Sequence, residues 1–115
     1  MESSIRTIDP NFDNLLVKAI DETVADLFGP IVVQSLHDHL LKFYGVRMDE
    51  IPRRLDALTS TLAKTFGPSS KTISKAIARK LYAKLGLVFY DNPGGTLLEN
   101  VERARIERRA GGGQL

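Results

Sequence analysis

Apolar side chains recur every three or four residues along most of this chain, and Gly-Pro pairs interrupt them twice. In the first stretch Leu16, Ile20, Val24 and Leu27 share one helical face, after a start at Asn11 or Asp9-Pro10. From Pro30 to Tyr44 the same spacing holds Val32/Val33, Leu36, Leu40 and Phe43/Tyr44, and a third set runs Ile51, Leu55, Leu58, Leu62 and Phe66. A fourth, from Pro68 to about Leu85, places Ile73, Ile77, Leu81 and Leu85 four apart. Each set predicts an amphipathic helix of about four turns whose apolar stripe faces a shared core. No stretch alternates with the two-residue period of a half-buried strand; Leu87–Tyr90 can run extended but is too short to make a sheet.

Gly29-Pro30 and Gly67-Pro68 read as a stop and a start with almost no loop between them. The Gly suits a left-handed position after a helix and the Pro suits the next first turn. Gly45 followed by Val46–Ile51 is a third break, and Asp91-Asn92-Pro93-Gly94-Gly95 is a loop. Connections this short pack neighbouring helices closely. The expected fold is all-α: a compact bundle of four helices over residues 1–90, followed by a loop, a charged C-terminal fifth helix and a flexible Gly tail over 91–115.

The fifth helix opens on a capping box, with Thr96 as cap and Glu99 three residues on. Leu97, Val101 and Ala104 mark a narrow apolar edge as far as about Arg109, before Gly111–Gly113 fray the chain. Glu99–Arg103 and Arg103–Glu107 are spaced for surface ion pairs, each worth about 0.2–0.5 kcal/mol. So thin an edge favours a loosely attached or partner-seeking helix over a packed one, with Leu97, Val101, Arg103 and Arg105 as candidate partner contacts.

At 115 residues, 43% hydrophobic and 26% charged, the composition is that of one ordinary globular domain. The absence of cysteine excludes disulfides, thiol nucleophiles and cysteine-bound zinc, and makes a reducing cytoplasm the simplest home. No apolar run nears the ~18 residues of a membrane span, and Met1–Pro10 lacks the regions of a signal peptide. Charge divides unevenly. Residues 1–50 carry 4 basic and 9 acidic side chains, net −5, whereas 51–115 carry 12 basic and 5 acidic, net +7. The two halves either attract each other, within the fold or between copies, or leave a basic face for phosphate or an acidic protein partner.

Catalytic chemistry is hard to find. His37 and His39 are the only histidines, and at i, i+2 of one helix they point about 200° apart, so they do not converge on one metal. Asp38, Asp49 and Glu50 are the candidates for a hard cation such as calcium, without the ligand repeat or central Gly of an EF-hand. Phosphate loops, nucleophile elbows and dinucleotide fingerprints are absent. The expectation is a non-enzymatic protein with no catalytic residue, metal or cofactor.

Leu62-Ala63-Lys64-Thr65-Phe66-Gly67 with Ile73 resembles the helix-turn-helix signature of many bacterial repressors: small Ala63 for close approach, Gly67 for the turn, and Ile73 packing the second helix. That resemblance implies that Ser69, Ser70, Lys71, Thr72 and Lys75 face DNA. Lys71, Lys75 and Arg79 lie four apart as one basic stripe, with Tyr82 on the same side, either at the rim of the core or in contact with a ligand. Pro68 departs from the pattern, since it starts the second helix at once and changes the angle between the two.

A second resemblance spans about Leu27 to Phe89. Leu40…Phe43-Tyr44-Gly45, Asp49-Glu50-Ile51-Pro52, Leu62…Phe66-Gly67 and Ile73…Ile77…Leu81-Tyr82…Leu85-Gly86 are similar to a family of small archaeal helical domains that includes the output domains named after Nitrosopumilus. It implies a helical, non-enzymatic, archaeal domain. The function expected is therefore an interaction or output module working through a protein partner, self-association through the fifth helix being one form of it. The alternative is a DNA-binding protein using residues 62–79, with Ser69, Ser70, Lys71, Lys75 and Arg79 as contacts to DNA or to an acidic partner. A minor alternative is calcium binding, and no membrane partner is expected.

Overall fold

The computed structural model describes residues 10–91 and 95–114, with side-chain surroundings defined for 11–91 and 95–108. Met1–Asp9 and the Asn92–Gly94 part of the expected loop lie outside the described residues. Those described form five α-helices, two 3-10 turns and no strand: α1 (Pro10–Phe28), α2 (Pro30–Tyr44), a turn over Met48–Arg53, α3 (Leu55–Phe66), a turn over Gly67–Ser69, α4 (Ser70–Leu85) and α5 (Leu97–Gln114). The all-α bundle expected from the apolar spacing is the fold observed.

Several local expectations need correction. The third helix does not begin at Ile51. Ile51 and Pro52 are buried in the 3-10 turn, and Arg54, at φ −131° and ψ 50°, separates that turn from α3. Proline supplies no N–H and disfavours a helical residue before it, so a short tight turn accommodates the Ile-Pro pair where a continuous α-helix does not. The two Gly-Pro corners have positive φ but not the left-handed helical ψ: Gly29 sits at φ 95°, ψ 165° and Gly67 at φ 60°, ψ −133°. The following proline ring excludes helical ψ, and only glycine tolerates that extended ψ at positive φ. Gly86, with no proline after it, is left-handed and closes α4 as the sequence leads one to expect, its N–H bonded to the Ala83 carbonyl and that of Leu87 to Tyr82.

α4 lies at the centre, touching α1, α3 and α5. Ile73, Ile77, Ala78, Leu81 and Tyr82 are buried along it, in one core cluster with Leu16, Ile20 and Val24 of α1, Leu36 and Leu40 of α2, and Leu58 and Leu62 of α3. Leu27 and Phe43, expected on the inner stripes, are 51% and 64% exposed, and each sits in the last turn of its helix. Leu87–Tyr90 has no regular secondary structure, with Leu87 and Phe89 half-buried against the core and Val88 and Tyr90 exposed.

The largest correction concerns α5. Leu97, Val101 and Ala104 are 3%, 0% and 0% exposed and belong to the same core as the other helices, so the core does not end at residue 90. Narrow as its apolar edge is, α4 supplies the matching anchor. Tyr82, 2% exposed, donates its hydroxyl to the Asn100 carbonyl at 2.8 Å, and its ring meets Phe89 edge-on at 5.2 Å between centroids. Burial pushes the Tyr82 phenol above its ordinary pKa, which keeps it a donor. Tyr82 is thus a core residue rather than a rim residue. Arg105, taken as a partner contact, turns inward: its guanidinium lies 4.4 Å from the Phe12 ring centroid and 3.1 Å from Asp13, tying α5 to α1. Arg103 is half-buried beside Tyr82. Neither expected ion pair along α5 forms; Glu99 instead accepts the Thr96 N–H at 3.0 Å while the Thr96 hydroxyl accepts that of Glu99, the capping box read from the sequence. Helical backbone continues past Arg109 through the Gly run, because extending a formed helix avoids the penalty of nucleating one.

The acidic first half and basic second half meet across the fold. Lys80 reaches Asp26 at 2.9 Å and Glu22 at 4.0 Å, Lys84 reaches Glu22 at 2.9 Å, and Arg105 reaches Asp13. The exposed pairs are worth ~0–1 kcal/mol each and orient α4 on α1 more than they stabilise it. His37 and Asp21 form a tighter link between α2 and α1, at 2.6 Å and with little exposure of either side chain.

Two outcomes are expected. Tyr82→Phe should destabilise the protein by about 1 kcal/mol, read as a lower urea midpoint at unchanged slope, since a buried hydrogen bond is lost without a cavity; an unchanged midpoint refutes the anchor. The Asp21 hydrogen bond raises the His37 pKa above its ordinary 6.5, against the opposing effect of burial. Its stabilising contribution is therefore complete below about pH 6.5 and declines as pH rises through the raised value. Melting temperature should fall from about pH 6 to about pH 8 in the native chain, and the part due to this pair should vanish in His37→Gln. An identical pH slope in the variant would contradict it.

Candidate functional site

The sequence-predicted basic residues converge. Ser70, Lys71, Lys75 and Arg79 of α4 line a surface groove of about 680 Å³, together with Thr72, Ser74 and Ala76 of the same helix. Thr59 and Ala63 of α3 form one side, and Gly95, Thr96, Leu97 and Asn100 at the start of α5 form the other. Five hydroxyl-bearing side chains and three cations share this wall, and no carboxylate lies among them. Ser69, the remaining predicted residue, is exposed in the turn before α4 and is not part of the groove.

Helix geometry explains the gathering. Residues 71, 75 and 79 succeed one another at i+4 and lie on one edge of α4, roughly opposite the buried stripe of Ile73, Ile77 and Leu81 and beside buried Ala78 and Tyr82. Packing against α3 and the start of α5 places that edge in the groove between them. Lys75 is half-buried and reaches Asp91 at 3.0 Å, whereas Lys71 and Arg79 are exposed and have no ion-pair partner among the described residues. Asn100, 6% exposed in the groove wall, has a buried Oδ1 that accepts no hydrogen bond from the described residues. The sequence analysis missed Thr59, Ser74 and Asn100, since nothing in their spacing signals a shared surface. Thr96 was legible only as a helix cap.

Other expected constellations do not assemble. Ala63 is exposed beside the groove instead of sitting between closely apposed helices, because Pro68 inserts a 3-10 turn before α4. That departs from the helix-turn-helix arrangement at the position meant to allow close approach. Among the described residues, no three His, Asp or Glu side chains are grouped to hold a metal ion. Asp38 accepts from Gln34 at 3.2 Å and Glu50 from the Arg47 N–H at 2.8 Å, so the set Asp38, Asp49 and Glu50 is drawn to separate partners. His37 faces Asp21, while His39 lies against Phe43, consistent with their divergent directions on α2. Of the partner-helix residues, Leu97 and Val101 are core, and Arg103 and Arg105 point back to the bundle.

A second groove, of about 510 Å³, lies between the first 3-10 turn and α5, lined by Pro52, Arg53, Leu55, Asp56, Leu98, Glu102 and Arg105. Its charges balance, and Arg53 is its only cation not shown paired, since Arg105 serves Asp13. The fold and the first groove define an all-α bundle carrying one cationic recess. No family model, curated protein or solved structure matches the chain. Among the described residues, no helix is long and apolar enough to cross a membrane.

Proposed function

We propose that this chain is a non-enzymatic binding module whose working surface is the groove between α3, α4 and the start of α5, and that the groove takes the anionic oxygens of a partner. The observation that carries the reading is the convergence of Lys71, Lys75 and Arg79 with five hydroxyls on a wall free of carboxylates. Cations attract an anionic partner at long range, and hydroxyl groups then donate to carboxylate or phosphate oxygens at contact. Those oxygens belong either to an acidic segment of a protein or to a nucleic acid backbone. A cytoplasmic interaction or output role, as the archaeal resemblance suggests, is part of this proposal. Self-association through α5 is not, because the residues that would drive it are buried or paired.

Insertion of α4 into duplex DNA fits less well. A recognition helix must stand clear of the protein to enter a major groove about 12 Å wide. Here the basic edge of α4 is a recess wall flanked by Thr59 and Ala63 on one side and Thr96 and Asn100 on the other.

Fluorescence anisotropy at about 50 mM salt, with labelled polyglutamate and a labelled oligonucleotide as probes, tests the proposal. Lys71→Glu with Arg79→Glu should weaken binding at least about tenfold and leave the melting temperature unchanged, since neither side chain supports the fold. Asp91→Asn should tighten binding by releasing Lys75 from its competing carboxylate. Failure of both probes to bind, or affinities indifferent to the double substitution, would refute the groove.

A further inference from the structure

At the C-terminal end of α2 three rings cluster, with a cation beside each of the outer two. His39 is in the middle, its ring centroid 4.5 Å from Phe43 and 6.2 Å from Tyr44. Lys42 Nζ lies 5.8 Å from the Phe43 centroid at one end. Lys64 Nζ, from α3, lies 6.0 Å from the Tyr44 centroid and 3.5 Å from its hydroxyl at the other. Residues 39 and 43 are one helical turn apart, so the pairing of their rings follows from α2 itself. Tyr44 packs partly buried against the core, but Phe43 is not needed there: Leu36 and Leu40 seal the inner face of α2, and Phe43 remains 64% exposed.

Ala63, which precedes Lys64, lines the cationic groove, so ring cluster and groove both adjoin one helix about 10 Å across. Resting on the groove reading above, we infer that the anionic partner is a single-stranded nucleic acid. Its bases stack on the Phe43–His39–Tyr44 cluster, and its backbone passes Lys42 and Lys64 and crosses α3 to Lys71, Lys75 and Arg79. Exposed stacking faces with cations beside them are what an unpaired strand requires, since every base has a free π-face and every linkage a phosphate. Duplex DNA keeps its bases stacked inside and has no face to offer Phe43. An acidic peptide matches the lysines but leaves the rings unused. The nearest acidic side chain on this part of α2, Asp38, is already engaged by Gln34.

The test compares three labelled probes on the full chain: an oligothymidine of about 12 nucleotides, within the ~4–16 nucleotides compact single-strand binders cover, a duplex of the same length, and polyglutamate. The single strand should bind tightest, with log affinity falling by about 0.7 per phosphate contacted for each decade of salt. Phe43→Ala should weaken the single strand about tenfold and leave polyglutamate unchanged, while Phe43→Trp should retain single-strand binding. Lys42→Ala and Lys64→Ala should each flatten the salt slope. Polyglutamate binding without oligonucleotide binding, equal or tighter duplex binding, or indifference to Phe43→Ala would overturn this inference and leave the groove standing. No binding of any probe would overturn both.

Discussion

The placement of α4 is the constraint on which the rest of the structure depends. A helix touching three others must bury most of its circumference, and Ile73, Ile77, Ala78, Leu81 and Tyr82 do so. Little surface remains, so what α4 shows to solvent is decided by packing more than by local chemistry. The edge carrying Lys71, Lys75 and Arg79 is what is left. Tyr82 extends the same logic to α5: one buried hydroxyl on the Asn100 carbonyl lets a helix with a thin apolar edge join a core it would otherwise hold weakly. Once α5 is docked, its first turn becomes a wall opposite α3, and an exposed basic edge becomes a recess.

Charge is divided between two tasks. Among the described residues, four ion pairs join the acidic first half to the basic second half: Lys80 to Asp26 and Glu22, Lys84 to Glu22, and Arg105 to Asp13. These cations lie where α4 and α5 face α1, so neutralising them costs little entropy: the helices are already held by the core. Lys71 and Arg79 line the groove between α3 and α5, and neither has an ion-pair partner among the described residues. The overall charge of +2 therefore says little about the local potential at the groove.

Two Phe-Gly-Pro corners repeat in the chain, at 28–30 and 66–68, and their phenyl rings stack at 4.6 Å and 17°. They fix where α1 passes to α2 and where α3 passes to α4. Because each proline imposes an extended ψ on its glycine, the chain reverses abruptly at both corners and the helices remain adjacent.

By itself, the amino-acid sequence determined the helices, their inward stripes and the Thr96–Glu99 cap. These are set within a few residues by side-chain spacing and hydrogen bonds that close locally. It also marked Lys71, Lys75 and Arg79 as one edge, since i+4 spacing fixes a face wherever the helix ends up. Only the tertiary structure decided that α5 packs, that Arg105 turns onto Phe12 and Asp13, and that Thr59 and Asn100 complete the groove. Those outcomes join residues roughly 20 to 90 positions apart, and spacing along the chain holds no information about which distant side chain will stand opposite.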